Sequence, residues 1–203
     1  MKKAFLVPVL ICVLTLVATG SSHALMLSLE PSAPSIGVGG TALVDLNISG
    51  LGNGAAPSLG AFYAEITFDD SIVSFDSVVY GSLLGDTDPS AFETDIMTTP
   101  GVGEVSLDEF SFLWDFELDA LQPEDFTLAT LSFIGLAEGV SPLGFGFTDL
   151  SDAAIPANSL FPAFQTAEIT VASAQPVPEP ATMLLFVAGL IGLGGFRMRF
   201  KQK

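Results

Sequence analysis

Carboxylates are almost the only side chains in this sequence that could do chemistry. The chain has 23 Asp and Glu, six Lys and Arg, one His and one Cys. Three acidic pairs stand out, namely Asp69 with Asp70, Asp86 with Asp88, and Asp108 with Glu109. Carboxylate oxygens are preferred ligands of Ca²⁺. We therefore take Asp69, Asp70, Asp86 and Asp88 as candidate calcium ligands, calcium being the one candidate cofactor. Solvated turn residues are the alternative for each pair, because the EF-hand spacing is absent.

Every basic residue lies near an end of the chain. No Lys or Arg occurs between residues 4 and 196. Residues 25–177 contain all the acidic residues except Glu179. A polyanion of this kind is a very poor partner for nucleic acid, because phosphate binding needs basic side chains. Solubility through self-repulsion and binding of divalent cations both remain open. The six basic residues are Lys2, Lys3, Arg197, Arg199, Lys201 and Lys203.

Residues 1–24 are predicted to be a secretory signal peptide. Lys2 and Lys3 precede an apolar stretch, and Ser22-His23-Ala24 offers small residues at −3 and −1 for cleavage. An uncleaved membrane anchor is the alternative. Cleavage would remove Cys12 and His23, the only cysteine and histidine. The exported chain would then have no disulfide, zinc–thiolate site or imidazole-activated nucleophile.

The body, residues 25–173, is predicted to be an all-β antiparallel sandwich. Residues 41–48 and 59–68 alternate apolar and polar side chains, which indicates strands with one buried face. Gly, Pro and Asp separate the strands, and long helical periodicity is absent. Only residues 115–121, before Pro123, predict a short helix. Further strands are predicted at 72–80, 104–114, 126–136, 143–150 and 166–171.

Six phenylalanines of the body are expected in its core. The ones on alternating positions are Phe62, Phe68, Phe75, Phe133, Phe145 and Phe147. Trp114 follows two apolar residues and precedes Asp115, so its sequence context fits the core and the rim equally. A row of exposed aromatics for binding sugar is therefore not evident from the sequence, and no ligand-binding residue is assigned.

The C-terminal segment has three parts after a linker at 174–177. Pro178-Glu179-Pro180 comes first, then an apolar run at 181–196, and then the basic residues Arg197, Arg199 and Lys201. A run of 16 residues is shorter than the roughly 20 that span a bilayer comfortably. We predict a hydrophobic helix that enters the membrane transiently, with the basic cluster as a cytoplasmic stop. A plain tail anchor is the alternative.

This arrangement closely resembles the PEP-CTERM sorting signal, covering residues 178–203. The resemblance implies recognition at Pro178, Glu179 and Pro180 by an exosortase, followed by removal of the hydrophobic tail. It also implies a Gram-negative bacterium that makes exopolysaccharide. The protein would be anchored transiently in the inner membrane and delivered to the cell surface or extracellular matrix.

The body resembles cohesin-like domains in a more diffuse way. The matching stretches are Leu59-Gly-Ala-Phe62 with its alternating continuation to Asp70, and Phe126-Thr-Leu-Ala-Thr-Leu-Ser-Phe133 followed by Gly139-Val-Ser141. The resemblance implies a jelly-roll β-sandwich related to carbohydrate-binding modules. It further implies recognition of a dockerin-like protein or of extracellular polysaccharide.

Two functions follow as hypotheses. In the first, the chain is an exported, non-catalytic protein that binds exopolysaccharide or a protein partner in adhesion or biofilm formation. In the second, it is a passive polyanionic matrix protein, bridged by calcium. Two carboxylates can hydrolyse a glycosidic bond, but a compact sandwich without a predicted cleft leaves little room for a sugar. We therefore predict that the chain is not an enzyme.

Overall fold

The computed structural model describes residues 24–173. One short helix, α1 (Asp115–Leu121), is found in this range, between β7 and β8. The strands in chain order are β1 (Met26–Pro31), β2 (Ser35–Gly37), β3 (Thr41–Ser49), β4 (Leu59–Thr67), β5 (Val73–Tyr80), β6 (Thr94–Pro100), β7 (Glu104–Ser111), β8 (Asp125–Gly135), β9 (Gly139–Asp152), β10 (Ser159–Leu160), β11 (Ala163–Gln165) and β12 (Ala167–Ala172).

The strands form two sheets. The smaller sheet has the order β11-β1-β3-β8-β5, and the larger has the order β2-β12-β9-β4-β7-β6, with β10 paired to β9. All pairs are antiparallel except β1 with β11 and β2 with β12, which are short and parallel. The predicted all-β sandwich is thereby confirmed. The predicted signal helix and C-terminal hydrophobic helix lie outside the described residues.

Alternating side chains produce the core, as β3 illustrates. Val44, Leu46 and Ile48 are fully buried, whereas Asp45 lies on the opposite face. There its carboxylate Oδ1 accepts a hydrogen bond from Thr130 Oγ1 of β8 at 2.6 Å. The apolar side of the strand thus faces the other sheet while its polar side is satisfied by a neighbouring strand.

The core belongs entirely to the sandwich. Its buried apolar residues run from Leu27 to Val171 and include Phe62 and Phe133, which are almost completely buried. All the strand pairs also lie between Met26 and Ala172. Because residues 25–173 contain this whole core and its hydrogen-bonding partners, the segment is expected to fold on its own.

Five strands were not predicted, namely β1, β2, β6, β10 and β11, and one prediction was too long. β1 and β6 have mixed patterns, and β6 is a half-exposed edge strand. The strand predicted at 104–114 ends at Ser111, whose hydroxyl donates to the carbonyl of Leu84. Trp114 N then donates to Glu117 Oε2 at 2.9 Å, which begins α1 at Asp115 as predicted.

The expectation that Phe147 is in the core is wrong. Phe145 pairs with Ile66 while Thr148 pairs with Ala64, so β9 has one more residue than β4 in this interval. Such a bulge reverses the alternation of side chains. Phe145 therefore packs against the core, whereas the side chain of Phe147 is 66% exposed.

Candidate binding face

The predicted calcium ligands act as turn caps. Asp69 Oδ1 accepts hydrogen bonds from Ser71 Oγ at 2.6 Å and from Ser71 N at 2.9 Å. These bonds, the side-chain bond first, lower the pKa of Asp69. Asp88 Oδ1 accepts from both Ser90 N and Ser90 Oγ, and the two bonds lower its pKa in the same way.

Asp86 caps the same loop, because its Oδ1 accepts from Asp88 N at 2.9 Å. Asp70 is exposed in the turn that follows β4. Among residues 24–173, no group of three or more acidic side chains is close enough together to hold a metal ion. The structure therefore does not bring the four predicted ligands together in one cluster, and a calcium site stays a prediction.

The remaining predicted site residues belong to the sorting signal. Pro178, Glu179 and Pro180, and the basic residues Arg197, Arg199 and Lys201, lie outside the described residues. The predicted apolar helix at 181–196 lies outside them too. Within residues 24–173, no helix has the length and hydrophobicity that crossing a bilayer requires.

Exposed aromatic and acidic side chains share the outer side of the larger sheet. Tyr63 on β4 lies opposite Asp108 on β7 and Asp149 on β9. Asp108 in turn lies opposite Met97 on the edge strand β6. Residues that are directly opposite in a sheet point to the same side. We call this surface the aromatic face, and its residues are Tyr63, Asp95, Met97, Asp108, Phe110, Phe147 and Asp149.

The aromatic rings form two pairs. Tyr63 and Phe147 have ring centroids 5.7 Å apart and ring planes inclined at 53°. At the end of β7, Phe110 and Phe112 are 5.4 Å apart and inclined at 66°. Tyr63 is also fixed by its hydroxyl, which donates to Ser106 Oγ at 2.9 Å. The face thus presents large aromatic groups, and the ring of Tyr63 is held in position by Ser106 and Phe147.

The charge of the aromatic face is uncompensated. Partial burial, and then repulsion from Asp95, raise the pKa of Asp108. The sequence offers no Lys or Arg between residues 4 and 196 that could neutralise these carboxylates. A partner that brings positive charge would relieve the repulsion.

A buried carboxyl group lies directly beneath this face. Glu109 is on the inward side of β7 and is 0% exposed, and neither carboxylate oxygen has a hydrogen-bond partner in the described part of the chain. Burial raises its pKa to about 8. The interpretation of Asp108 and Glu109 as a pair of turn residues is therefore wrong, because they lie in a strand and on opposite sides of it.

Tyr80 of the smaller sheet reaches the edge strand from below. Its hydroxyl is 2.9 Å from both the carbonyl oxygen of Met97 and Thr98 Oγ1. Burial is the main cause of its raised pKa, and the charge of Glu109 contributes in the same direction. This bond occupies the carbonyl of Met97 on β6. Among the described residues, the outer edge of β6 pairs with no other strand.

Comparison with known proteins adds two findings. A family model described as the PEP-CTERM protein-sorting motif matches residues 176–199. The chain therefore carries the predicted sorting motif, which indicates an exported protein sorted to the surface. No curated protein matches the chain by sequence.

The sandwich is similar to solved cohesin structures. A type II cohesin from the cellulosome of Acetivibrio cellulolyticus superposes with a TM-score of 0.59 at 15% identity, covering 72% of this chain and 95% of that one. A non-cellulosomal cohesin from the archaeon Archaeoglobus fulgidus gives 0.56 at 12% identity, with coverages of 74% and 93%.

A third structure in this group contains a partner. The sixth cohesin of scaffoldin B from Acetivibrio cellulolyticus, solved in complex with a mutant Cel5 dockerin, gives a TM-score of 0.56 at 15% identity. The similarity covers 74% of this chain and 100% of that cohesin. At this level of identity the comparison shows the fold, and the predicted resemblance to cohesin-like domains is confirmed as a similarity of structure.

Sequence analysis missed the aromatic face for a specific reason. Phe147 is exposed only because of the bulge in β9, which the alternating pattern does not reveal. Met97 was missed because β6 was not predicted. Trp114, left undecided between core and rim, is 61% exposed. It lies beyond the end of β7, immediately before α1.

Proposed function

We propose that this chain is an exported, non-catalytic binding module that recognises a protein partner through the aromatic face. One observation carries the proposal: Tyr63, Met97, Phe110 and Phe147 present apolar groups together on the outer side of a rigid sheet. Exposed apolar surface of this kind marks interaction sites in soluble proteins. The cohesin from Acetivibrio cellulolyticus that was solved with a dockerin supports a protein as the partner.

Export and sorting follow from the two ends of the chain. The predicted signal peptide at 1–24 directs secretion, and the sorting motif matched at 176–199 is the substrate of an exosortase. Cleavage near Pro178, Glu179 and Pro180 would leave the acidic sandwich at the surface or in the matrix of a Gram-negative cell. Before cleavage, the apolar run at 181–196 holds the chain in the inner membrane.

A protein partner fits the face better than a polysaccharide. Flat sugar chains stack on aromatic rings that are nearly coplanar, whereas the ring planes here are inclined at 53° in one pair and at 66° in the other. Tilted rings of this kind suit the irregular surface of a folded protein or peptide. Exopolysaccharide binding, and with it a role in adhesion or biofilm formation, is the second outcome that the test distinguishes.

The passive matrix hypothesis explains the charge but not the aromatic side chains. Carboxylates alone keep a protein soluble, and a disordered acidic chain would present them without a folded core. Exposed Phe147 and Met97 add nothing to that role and favour association. A sandwich that presents them on one face is better explained as a binding module.

A capture experiment with matched variants tests this proposal. Residues 25–173 are immobilised and exposed separately to the extracellular protein and the extracellular polysaccharide of the producing organism. We expect saturable retention of a protein, lost in Phe147→Ser and unaffected in Val79→Ser. Val79 is an exposed apolar residue of β5 in the smaller sheet. Retention of polysaccharide alone, or equal loss in both variants, would contradict the proposal.

A further inference from the structure

An apolar groove lies at the end of the larger sheet where β7 and β9 both finish. It encloses about 390 Å³ between the segment that leads into α1 and the segment that follows β9. Phe110, Phe112, Trp114 and Ile155 supply large apolar groups to its walls. Trp114 and Ile155 are 61% and 78% exposed, so the groove is open to solvent at this end of the sandwich.

A smaller recess adjoins the groove and shares four of its lining residues. The recess encloses about 60 Å³, and three aspartates line it: Asp115, Asp119 and Asp152. Asp115 and Asp152 also line the groove. A ligand lying in the groove would therefore have carboxylates from two separate segments of the chain at one end of its binding site.

The structure holds these carboxylates in place. Asp119 Oδ1 accepts a hydrogen bond from Ser58 Oγ at 2.7 Å. Asp152 accepts from Asn158 N at 2.7 Å and from Asn158 Nδ2 at 2.8 Å. Burial opposes ionisation of Asp152, but the bonds from Asn158 and Ala154 outweigh it and lower the pKa. Hydrogen bonds thus fix the carboxylates of Asp119 and Asp152 at the recess.

No counter-ion for the recess comes from the sandwich, because residues 25–173 contain no Lys or Arg. A bound metal fits poorly, since within the described residues no three acidic side chains are close enough to share one. A guanidinium group presents five hydrogen-bond donors over a wider span than a metal ion, and an ammonium group presents three donors. Exposed aromatic rings beside carboxylates also favour such organic cations.

We propose that the groove and its recess bind a polypeptide segment in which an Arg or Lys stands beside a large apolar side chain. The basic group enters the recess of Asp115, Asp119 and Asp152, and the apolar side chain lies against Phe112, Trp114 and Ile155. Charge complementarity selects the first contact, and burial of apolar area stabilises the second. This site shares Phe110 with the aromatic face but includes neither Tyr63 nor Phe147, and it does not depend on the function proposed above.

The groove and residue Ala172 lie at opposite ends of the sandwich. β9 connects the two ends of the sandwich: Gly139 at its start pairs with Val171, and Ser151 and Asp152 at its end line the groove. At about 3.3 Å per residue, the strand is roughly 40 Å long. The chain leaves the sandwich after Ala172, so the groove lies at the end that is remote from this exit.

Trp114 provides a direct readout, because it is the only tryptophan in the chain. Residues 25–173 are titrated with a short blocked peptide of alternating leucine and arginine while tryptophan emission is recorded. We expect a saturable blue shift that weakens as NaCl rises. Matched peptides replace arginine by glutamate or leucine by serine, and neither should shift the emission. Calcium chloride, added alone and together with the peptide, is the remaining control.

Two variants locate the site. Asp115→Asn combined with Asp119→Asn should weaken peptide binding roughly tenfold or more, because charge-assisted hydrogen bonds are lost. Ile155→Ser should weaken it as well. The controls are Asp70→Asn combined with Asp125→Asn, and Phe161→Ser. These exposed residues do not line the groove, and their substitution should change nothing.

Several outcomes would overturn the proposal: no shift, an equal response to the glutamate or serine peptide, unchanged binding in the aspartate variants, or calcium blocking the peptide. The result does not depend on Tyr63 or Phe147 of the aromatic face, because neither lines the groove. If unsubstituted residues 25–173 bind the peptide but capture no protein partner, the groove is supported and the proposed function is contradicted. If Phe147→Ser loses peptide binding as well as protein capture, the claim that these are two different binding sites is contradicted.

Discussion

Glu109 lies directly opposite Phe62 in the pairing of β4 with β7, inside the core and below the aromatic face. Burial without a hydrogen-bond partner disfavours the ionised form of this carboxyl group, so its pKa rises to about 8. The other titratable groups nearby are Tyr80, which faces Glu109 from the smaller sheet, and Asp108 on the outer side of β7.

Glu109 should make the sandwich less stable as the pH rises. The pKa is about 4.5 when unfolded and about 8 when folded, so between these values only the folded state keeps the proton. The free energy of unfolding should fall by about 1.4 kcal/mol per pH unit in this window. Asp69 and Asp152 have lowered pKa values in the folded state, so they make the free energy of unfolding rise with pH, but in a lower pH range.

Urea denaturation across pH 5 to 8 checks this expectation. Glu109→Gln removes the titrating group and should flatten the profile. Glu104→Gln, an exposed position on the same strand, should keep the slope of the original protein. Parallel profiles for the two variants would show that Glu109 does not titrate between the folded and unfolded states as described.

The bulge in β9 predicts a contrast between two phenylalanines. Phe133 is fully buried, so Phe133→Ala should lower the free energy of unfolding by about 3 to 5 kcal/mol. Phe147→Ala removes only an exposed ring and its contact with Tyr63, and should cost less than about 1 kcal/mol. Chemical denaturation measures both. Equal costs would place Phe147 in the core, as the alternating pattern alone suggests.

Gln122 joins the end of α1 to the sheet. Its Oε1 accepts from Leu59 N at 2.7 Å, and its Nε2 donates to the carbonyls of Leu59 at 2.8 Å and Leu83 at 3.0 Å. Gln122→Ala would leave these buried groups unpaired and should lower the free energy of unfolding by about 3 kcal/mol. The exposed Gln165 gives the control, because Gln165→Ala should have little effect on thermal unfolding.

Sorting predicts a defined end for the surface form of the protein. If an exosortase removes the tail, intact-mass spectrometry of material from the cell surface should give a chain that starts at residue 25 and ends near residue 180. Glu179→Ala should abolish the shorter form. A surface form whose mass includes Lys203 would contradict processing, whatever the function of the sandwich.

The strands of the core were predictable because burial and alternation coincide in them. In β3 the alternation of Val44, Leu46 and Ile48 with polar residues is the burial pattern itself. The same rule would have found Glu109, since it continues the inward series of Val105 and Leu107. Phe147 was beyond this rule, because a bulge depends on how β9 pairs with β4 and leaves no mark in the pattern.

The groove could not be predicted from sequence patterns. Asp115 and Asp152 are far apart in the chain, and they line one recess only because β4 lies between β7 and β9 in the larger sheet. Edge strand β6 was missed because it buries little on either side. Local patterns thus revealed the core, whereas the exposed sites depend on pairing between distant segments.

The central claim is that the aromatic face contacts a protein partner, and photo-crosslinking tests it most directly. A photoreactive residue replaces Phe147 in one variant and Val79, on the opposite sheet, in the other. Each variant of residues 25–173 is irradiated in the extracellular fraction of the producing organism, and adducts are analysed by mass. We expect a saturable adduct with one protein at position 147 and none at position 79. Adducts at neither position, equal adducts at both, or an adduct with polysaccharide would contradict the account.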